Sequence, residues 1–361
     1  MSINDETVTN EAPTAFVVLS SEPHTVLPRL WSLVPGVAAA ITIAAIATLL
    51  GDRAPVVGAP VIAIVCGIAI ALVKKPSARF HPGIAFTSKK VLQGSIVILG
   101  FGLSLGQVLS TGSRSMPVLL GTLVIALAVA WLAGQALHLT ADLKTLIGIG
   151  TAICGASAIA ATDAVIDADE ADVSYAIATI FTFNVVAVLL YPTLGHALGF
   201  SQHTFGLWSG TAINDLSSVV AASTVFGHAA TSYGVIVKLT RTLAIIPICI
   251  GLVAFRRLRR EESAEWTSGH RIALRRIVPS FIMVFAIAVV INTIGVIPTG
   301  WHHGLSDLAT WMITAALAAI GLSTDISHVR KAGIRPLALG GILWLTVRLS
   351  SLGLQALTRS L

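Results

Sequence analysis

The chain has 361 residues, 55% of them hydrophobic and 11% charged, with a formal net charge of +6. Soluble domains carry roughly a quarter charged residues, so this composition argues against a soluble fold. The apolar content comes mainly from Ala, Val, Ile and Leu together with 31 Gly, a mixture that lets helices approach closely inside a bilayer.

Residues 1–28 are polar and carry Asp5, Glu6, Glu11 and Glu22 without Lys or Arg. They lack the basic start of a cleavable signal peptide and read as a loose cytoplasmic tail. From Arg29 to Leu361 the chain reads as one transmembrane domain of apolar stretches near the roughly 17–25 residues that span a hydrocarbon core as helix. The stretches are 31–50, 56–73, 91–109, 116–137, 146–161, 173–198, 205–226, 235–255, 277–297, 305–322 and 336–357, eleven in all. The expected fold is an all-α polytopic membrane protein.

Lys and Arg are retained on the cytoplasmic side of a membrane. With the N-terminus inside, the cytoplasmic connections hold seventeen of the 23 cations, including Lys74, Lys75, Arg79, Lys89, Lys90, Lys144 and the cluster from Arg256 to Arg276. The outside holds Arg53, Arg114 and Arg359, while Lys238, Arg241 and Arg348 fall inside apolar segments. This asymmetry predicts a multi-pass protein of a bacterial inner membrane with a cytoplasmic N-terminus and an external C-terminus. The fifth and seventh segments can each be a re-entrant hairpin instead of a crossing without moving a strongly basic loop. Charge leaves both arrangements open.

Two internal echoes bear on this choice. A shift of 219 residues aligns Gly102-Leu103-Ser104 with Gly321-Leu322-Ser323, Pro117 with Pro336, and Leu120-Gly121 with Leu339-Gly340. Seven crossings separate the copies, so they face opposite ways, as in inverted-repeat transporters. A shift of 60 aligns GTAICGASAIAA at 150–161 with GTAINDLSSVVA at 210–221. Two re-entrant hairpins flanking the sixth segment make these copies inverted too, although small residues also recur by chance in Ala-rich helices.

Asp215 is the one acidic residue in the middle of an apolar segment, and an intramembrane carboxylate must face protein or water. Asn214 beside it and the hydroxyls of Thr211, Ser217 and Ser218 surround it with donors and acceptors. The alternative is a polar clamp between helices. Lys238 and Arg241 are three apart, hence on one helix face, and need a negative partner, either Asp215 or a bound anion, unless the helix starts later and both reach the surface. Thr151, Cys154, Gly155 and Ser157 lie where small residues permit an interrupted helix with free N–H groups. Asn184 is the polar residue of an apolar span, a cross-helix bond or a site ligand. A serine-protease reading, with Ser157 in Gly-Ala-Ser-Ala and His196 as base, rests on four residues and is the weaker one, so no enzyme activity is expected.

At these motifs the chain resembles the YeiH-type family of bacterial inner-membrane proteins named as sulfate exporters. The residues carrying the resemblance are GTAICGASAIAA at 150–161, YAIATIFTFNVVAVLLYP at 175–192, FGLWSGTAINDLSSVVAAS at 205–223, VKLTR at 237–241 and GLSTD at 321–325. That family is similar to the bile-acid-symporter and cation/proton-antiporter group, which implies an inverted-repeat transporter of ten or more helices. One departure is Asn214, where the family pattern often has His; a group that titrates near neutral pH is absent here.

The resulting reading is a secondary active transporter of a small inorganic or sulfur-containing anion, in the export direction by resemblance. The alternative is a cation/proton antiporter using Asn214 and Asp215. No P-loop is present for direct ATP drive, the scattered Cys66, Cys154 and Cys249 hold no disulfide or zinc spacing, and no cofactor or nucleic acid is expected. The partners are a small anion, a coupling proton or sodium ion, the lipid bilayer and, as an open case, further copies of the chain.

Overall fold

The computed structural model describes residues 26–51, 58–259, 280–298, 300–324 and 333–358, all helix or helix connection without a strand. In chain order the helices are α1 (Val26–Gly51), α2 (Gly58–Val73), α3 (His81–Phe86), a π turn (Thr87–Val91), α4 (Leu92–Gly100), α5 (Leu105–Ala136), α6 (Ala141–Ala152) and α7 (Ala156–Ile166). They continue as α8 (Glu170–Ala197), α9 (Gln202–Ala212), α10 (Leu216–Phe226), α11 (His228–Thr242), α12 (Ile245–Arg259), α13 (Ser280–Thr293), α14 (Trp301–Leu322) and α15 (Ile334–Leu357). Six helical stretches among the described residues are long and apolar enough to cross a membrane: Trp31–Gly51, Leu105–Ala136, Glu170–Ala197, His228–Leu252, Trp301–Leu322 and Ile334–Leu357. The expected tail at 1–28 lies outside the described residues up to Thr25, and its last three residues, Val26 to Pro28, belong to α1; most of the basic connection after α12 and Arg330 and Lys331 also lie outside the described residues.

Several boundaries differ from the sequence expectation, for identifiable reasons. The third segment, expected at 91–109, is a continuous helical run from His81 to Gly100, and Lys89 and Lys90 sit inside it at the π turn instead of in a connection. The fourth, expected at 116–137, begins at Leu105, because Ser104 accepts from the Gln107 N–H while the Gln107 side chain accepts from the Ser104 N–H, a reciprocal cap that starts a helix. The polar residues 110–115 read as a loop, yet Ser110, Ser113 and Ser115 turn their hydroxyls back onto carbonyls three residues earlier. The fifth and seventh segments are each broken in two, at 153–155 and 213–215.

Side-chain packing forms two main apolar clusters. One gathers Leu146, Ile147, Ile159, Tyr191, Trp208 and Leu343 from α6 to α9 and α15; the other gathers Ile64, Ile96, Val235, Phe285, Ile313 and Leu317 from α2, α4, α11, α13 and α14. Beside the second, α2 and α14 meet backbone to backbone: a Cβ on Gly67 would lie 2.5 Å from the Ala318 carbonyl oxygen. Small residues permit that approach, which is how helices gain contact where lipid is as apolar as the side chains. The outer face of α5 presents Leu109, Leu120, Val124, Trp131 and Leu132 outward, the surface of a helix that faces hydrocarbon.

Two hydrogen-bond sets tie the broken helices to their neighbours. Thr140 Oγ1 donates to Asp172 Oδ2 at 2.7 Å, joining the start of α6 to the start of α8. Gln202 Oε1 accepts from the N–H groups of Ala229 and Ala230 at 2.9 and 3.3 Å, joining the start of α9 to the start of α11.

Candidate functional site

The two breaks fall in the same register of the 60-residue echo. α6 ends at Ala152 and α9 at Ala212; α7 begins at Ala156 and α10 at Leu216. The breaks also touch, since a Cβ built on Gly155 would lie 3.1 Å from the Asp215 Cβ. Gly155 holds φ +71° and ψ −134°, a region open essentially to glycine alone. Four helix ends therefore converge at one place, two C-terminal and two N-terminal.

The C-terminal ends carry carbonyls with no intrahelical partner, and α11 supplies them. Lys238 Nζ donates to the carbonyls of Ile153 and Ile213, each at 2.8 Å. Arg241 donates from Nε to Ala152, at 2.5 Å, and from its two terminal nitrogens to Thr211 and, at 3.1 Å, to Thr151. Tyr191 of α8 adds its hydroxyl to the Ala212 carbonyl at 3.4 Å. Ile153 pairs with Ile213 and Thr151 with Thr211 in the echo, so each cation bridges equivalent positions of the two breaks. Both side chains are buried, Lys238 at 0% and Arg241 at 2% exposure. Cations at helix C-termini complement the negative end of the helix dipole.

The N-terminal ends face a cavity of about 390 Å³. From the sequence candidates, Cys154, Ser157, Asn184, Asp215, Ser217 and Ser218 line it. Asp215 is the N-cap of α10: Oδ1 accepts from the Ser218 N–H at 2.9 Å and Oδ2 from the Ser218 hydroxyl at 2.7 Å. Gly155, the N-cap of α7, makes no side-chain cap bond. Asn184 is 4% exposed, and its Oδ1 has no hydrogen-bond partner. Such an orphan acceptor calls for a donor from outside the resting arrangement.

The remaining candidates stand behind this wall. Thr211 is bonded through its hydroxyl to Ser351 at 2.6 Å and to the Leu207 carbonyl at 2.7 Å. Thr151 and Asn214 are buried, with Thr151 Oγ1 and Asn214 Oδ1 unpartnered. Lys238 and Arg241 are not among the cavity-lining residues; the partner expected from charge counting, Asp215 or an anion, is replaced by main-chain carbonyls. His196 stacks on Phe226 at 4.3 Å, at the end of α10 away from Asp215, so no Ser157–His196 pair forms. Sequence reasoning misses Ser88, Lys89 and Gln93 from the π turn and α4, which line the cavity, because it puts Ser88 and Lys89 in a connection and Gln93 in an apolar segment without singling it out. It also passes over Tyr191, Ser323 and Thr324, although the last two stand in the motif at 321–325.

The family described as conserved hypothetical protein 698 matches residues 35–340 of this chain. The chain belongs to that family. It is 42% identical over 330 residues to the UPF0324 membrane protein of Streptococcus mutans serotype c, covering 89% of this chain and 96% of that one. A UPF0324 membrane protein of Streptococcus pyogenes serotype M6 is 41% identical over 328 residues, with 89% and 96% covered. One of Fusobacterium nucleatum is 40% identical over 326 residues, with 85% and 92% covered. The YeiH-type resemblance read from the motifs is thus the family itself, and membership agrees with the apolar helices in making this a membrane protein.

Asn184→Leu separates a site role from a packing role. Leucine removes a buried acceptor that lacks a partner, so the melting temperature of the purified protein should hold or rise, by the equivalent of about 1 kcal/mol at most. A site role predicts that solute binding weakens about tenfold, the worth of one hydrogen bond of roughly 1.4 kcal/mol. A clear drop in melting temperature with binding intact would assign Asn184 to packing.

Proposed function

We propose that this protein is a secondary active transporter of a small inorganic or sulfur-containing anion, sulfate-like in size and charge, with no catalytic step. The observation that carries the reading is the distribution of charge around the breaks. Lys238 and Arg241 bring two positive units against two helix C-termini of roughly half a negative unit each. The N-termini of α7 and α10 add about half a positive unit apiece, and Asp215 subtracts one, which leaves about one positive unit beside the cavity. Lys89 contributes another at its wall.

The hydrogen bonds between the starts of α6 and α8, and of α9 and α11, support reading 141–166 and 202–226 as two re-entrant hairpins that enter from opposite faces and meet at their tips. On that reading eleven segments comprise nine crossings and two hairpins, an inverted-repeat plan with the N-terminus cytoplasmic and the C-terminus external in a bacterial inner membrane. Broken helices meeting at mid-membrane, with charged ends exposed only to a cavity, suit alternating access.

A second reading, cation/proton antiport, draws on Asp215, the acidic residue among those lining the cavity. Reconstitution into proteoliposomes decides between them. The expected result is uptake of labelled sulfate, sulfite or a small sulfonate, reduced several-fold in Lys89→Gln. Sodium or proton exchange that is indifferent to these anions, and unchanged in Lys89→Gln, would overturn the anion reading in favour of the antiporter.

A further inference from the structure

The two N-termini that meet at the cavity are in equivalent register but are not equivalent in chemistry. At the α7 end the N-cap is Gly155, which has no side chain to offer, and only the Cys154 thiol reaches the Ala158 N–H, whereas the α10 end already holds an anion, the Asp215 carboxylate, on the Ser218 N–H and hydroxyl. The Gly155–Asp215 contact sets that carboxylate beside the open end. A solute anion that engages both N-termini needs the donors Asp215 holds, and two anions on one pair of donors repel strongly in a site shielded from water.

Resting on the anion-transport reading, we infer that Asp215 is a built-in competitor of the transported anion, released from Ser218 by taking up a proton, so that each anion bound carries one proton with it. On protonation the Asp215 carboxylate becomes a carboxylic acid, its O–H formed with a proton from the aqueous side. The Ser218 N–H and hydroxyl then donate to the incoming anion. Return to the ionised state expels the anion and releases the proton to the side on which the cavity is open. Asn184 Oδ1, buried on the same wall without a donor, is an acceptor for the new O–H, which the ionised arrangement leaves idle.

Other charged groups near the crossing do not supply this exchange. Lys238 and Arg241 from α11 are held by carbonyls of α6, α9 and the two breaks. Of the cavity-lining residues, the titratable ones are Lys89 on the π turn, Cys154 at the first break and Asp215; those from α2, α8, α13 and α14 are apolar or neutral.

The test uses the purified full chain with sulfate and methanesulfonate as probes, since neither changes charge between pH 5 and 8. Ligand-induced thermal shift measures their apparent affinity, which should fall as pH rises, approaching tenfold per pH unit, the slope of one linked proton. Binding in a weakly buffered solution should take up one proton per anion. Asp215→Asn leaves a neutral amide on Ser218, which an anion displaces without charge repulsion, so it should bind with an affinity independent of pH and mediate anion exchange without proton movement. Lys89→Gln and Cys154→Ala should retain the slope. Binding of either probe that is independent of pH in the wild type, or without proton uptake, overturns the coupling while leaving the anion reading in place. Absence of binding by wild type and Asp215→Asn alike at all pH values overturns both.

Discussion

Arg241→Ala should remove folded protein from the membrane fraction instead of merely weakening ligand binding. Its guanidinium satisfies carbonyls of Thr151, Ala152 and Thr211 on two separate helices, all at a crossing that Arg241 shares at 2% exposure. Each buried acceptor left without a donor loses about 1–3 kcal/mol, so the three together reach a large part of the roughly 5–15 kcal/mol by which a native protein is stable. Arg241→Lys should be intermediate, because a single ammonium lacks the planar fork that reaches several acceptors at once. The check is the monodisperse fraction after detergent extraction and its melting temperature. Normal yield and melting temperature for Arg241→Ala, with anion-induced stabilisation alone abolished, would place the guanidinium on the anion and not on the helix ends.

On the transport reading proposed above, Gly155→Ala should leave a folded protein with reduced flux. The residue sits at φ +71°, where a side chain is strained by about 1–3 kcal/mol, and its new methyl would meet the Asp215 Cβ at 3.1 Å. That contact is tight enough to push the two breaks apart by a few tenths of an ångström. Both helix N-termini are aimed from these breaks, so flux should fall at least about tenfold, the equivalent of 1.4 kcal/mol within the strain range. Gly353→Ala on α15 is the control: nothing lies within 4 Å of its Cβ position, and alanine is the better helix former by about 0.5–1 kcal/mol. Equal flux in Gly155→Ala and Gly353→Ala would remove the tip contact from the mechanism.

The places of the helices were legible in the amino-acid sequence because membrane insertion depends on local composition. Each apolar run from 31–50 to 336–357 overlaps helix in the described residues, but 91–109 straddles the stop between α4 and α5, which could have been placed from Ser104 and Gln107, a local signal that polar residues 110–115 obscured. The 60-residue echo located both breaks to within the residues 150–161 and 210–221, since small residues and a Gly that accepts φ > 0 are needed at a sharp interruption. Lys238, Arg241 and Asp215 stood out for the same reason: a charge in an apolar run has to be answered somewhere.

What answered them was decided by tertiary structure alone. Charge counting admits a carboxylate or an anion as the counterpart of Lys238 and Arg241, but main-chain carbonyls carry no formal charge and exist at every residue, so no residue type announces them. Only the meeting of two helix C-termini turns Thr151, Ala152, Ile153, Thr211 and Ile213 into a negative surface. The same meeting moves the cations behind the cavity and brings Asp215, Ser157 and Asn184 to its wall with Lys89, residues from four distant stretches of chain. Their proximity follows from packing between helices remote in sequence, and composition, periodicity and local spacing contain no term for that distance.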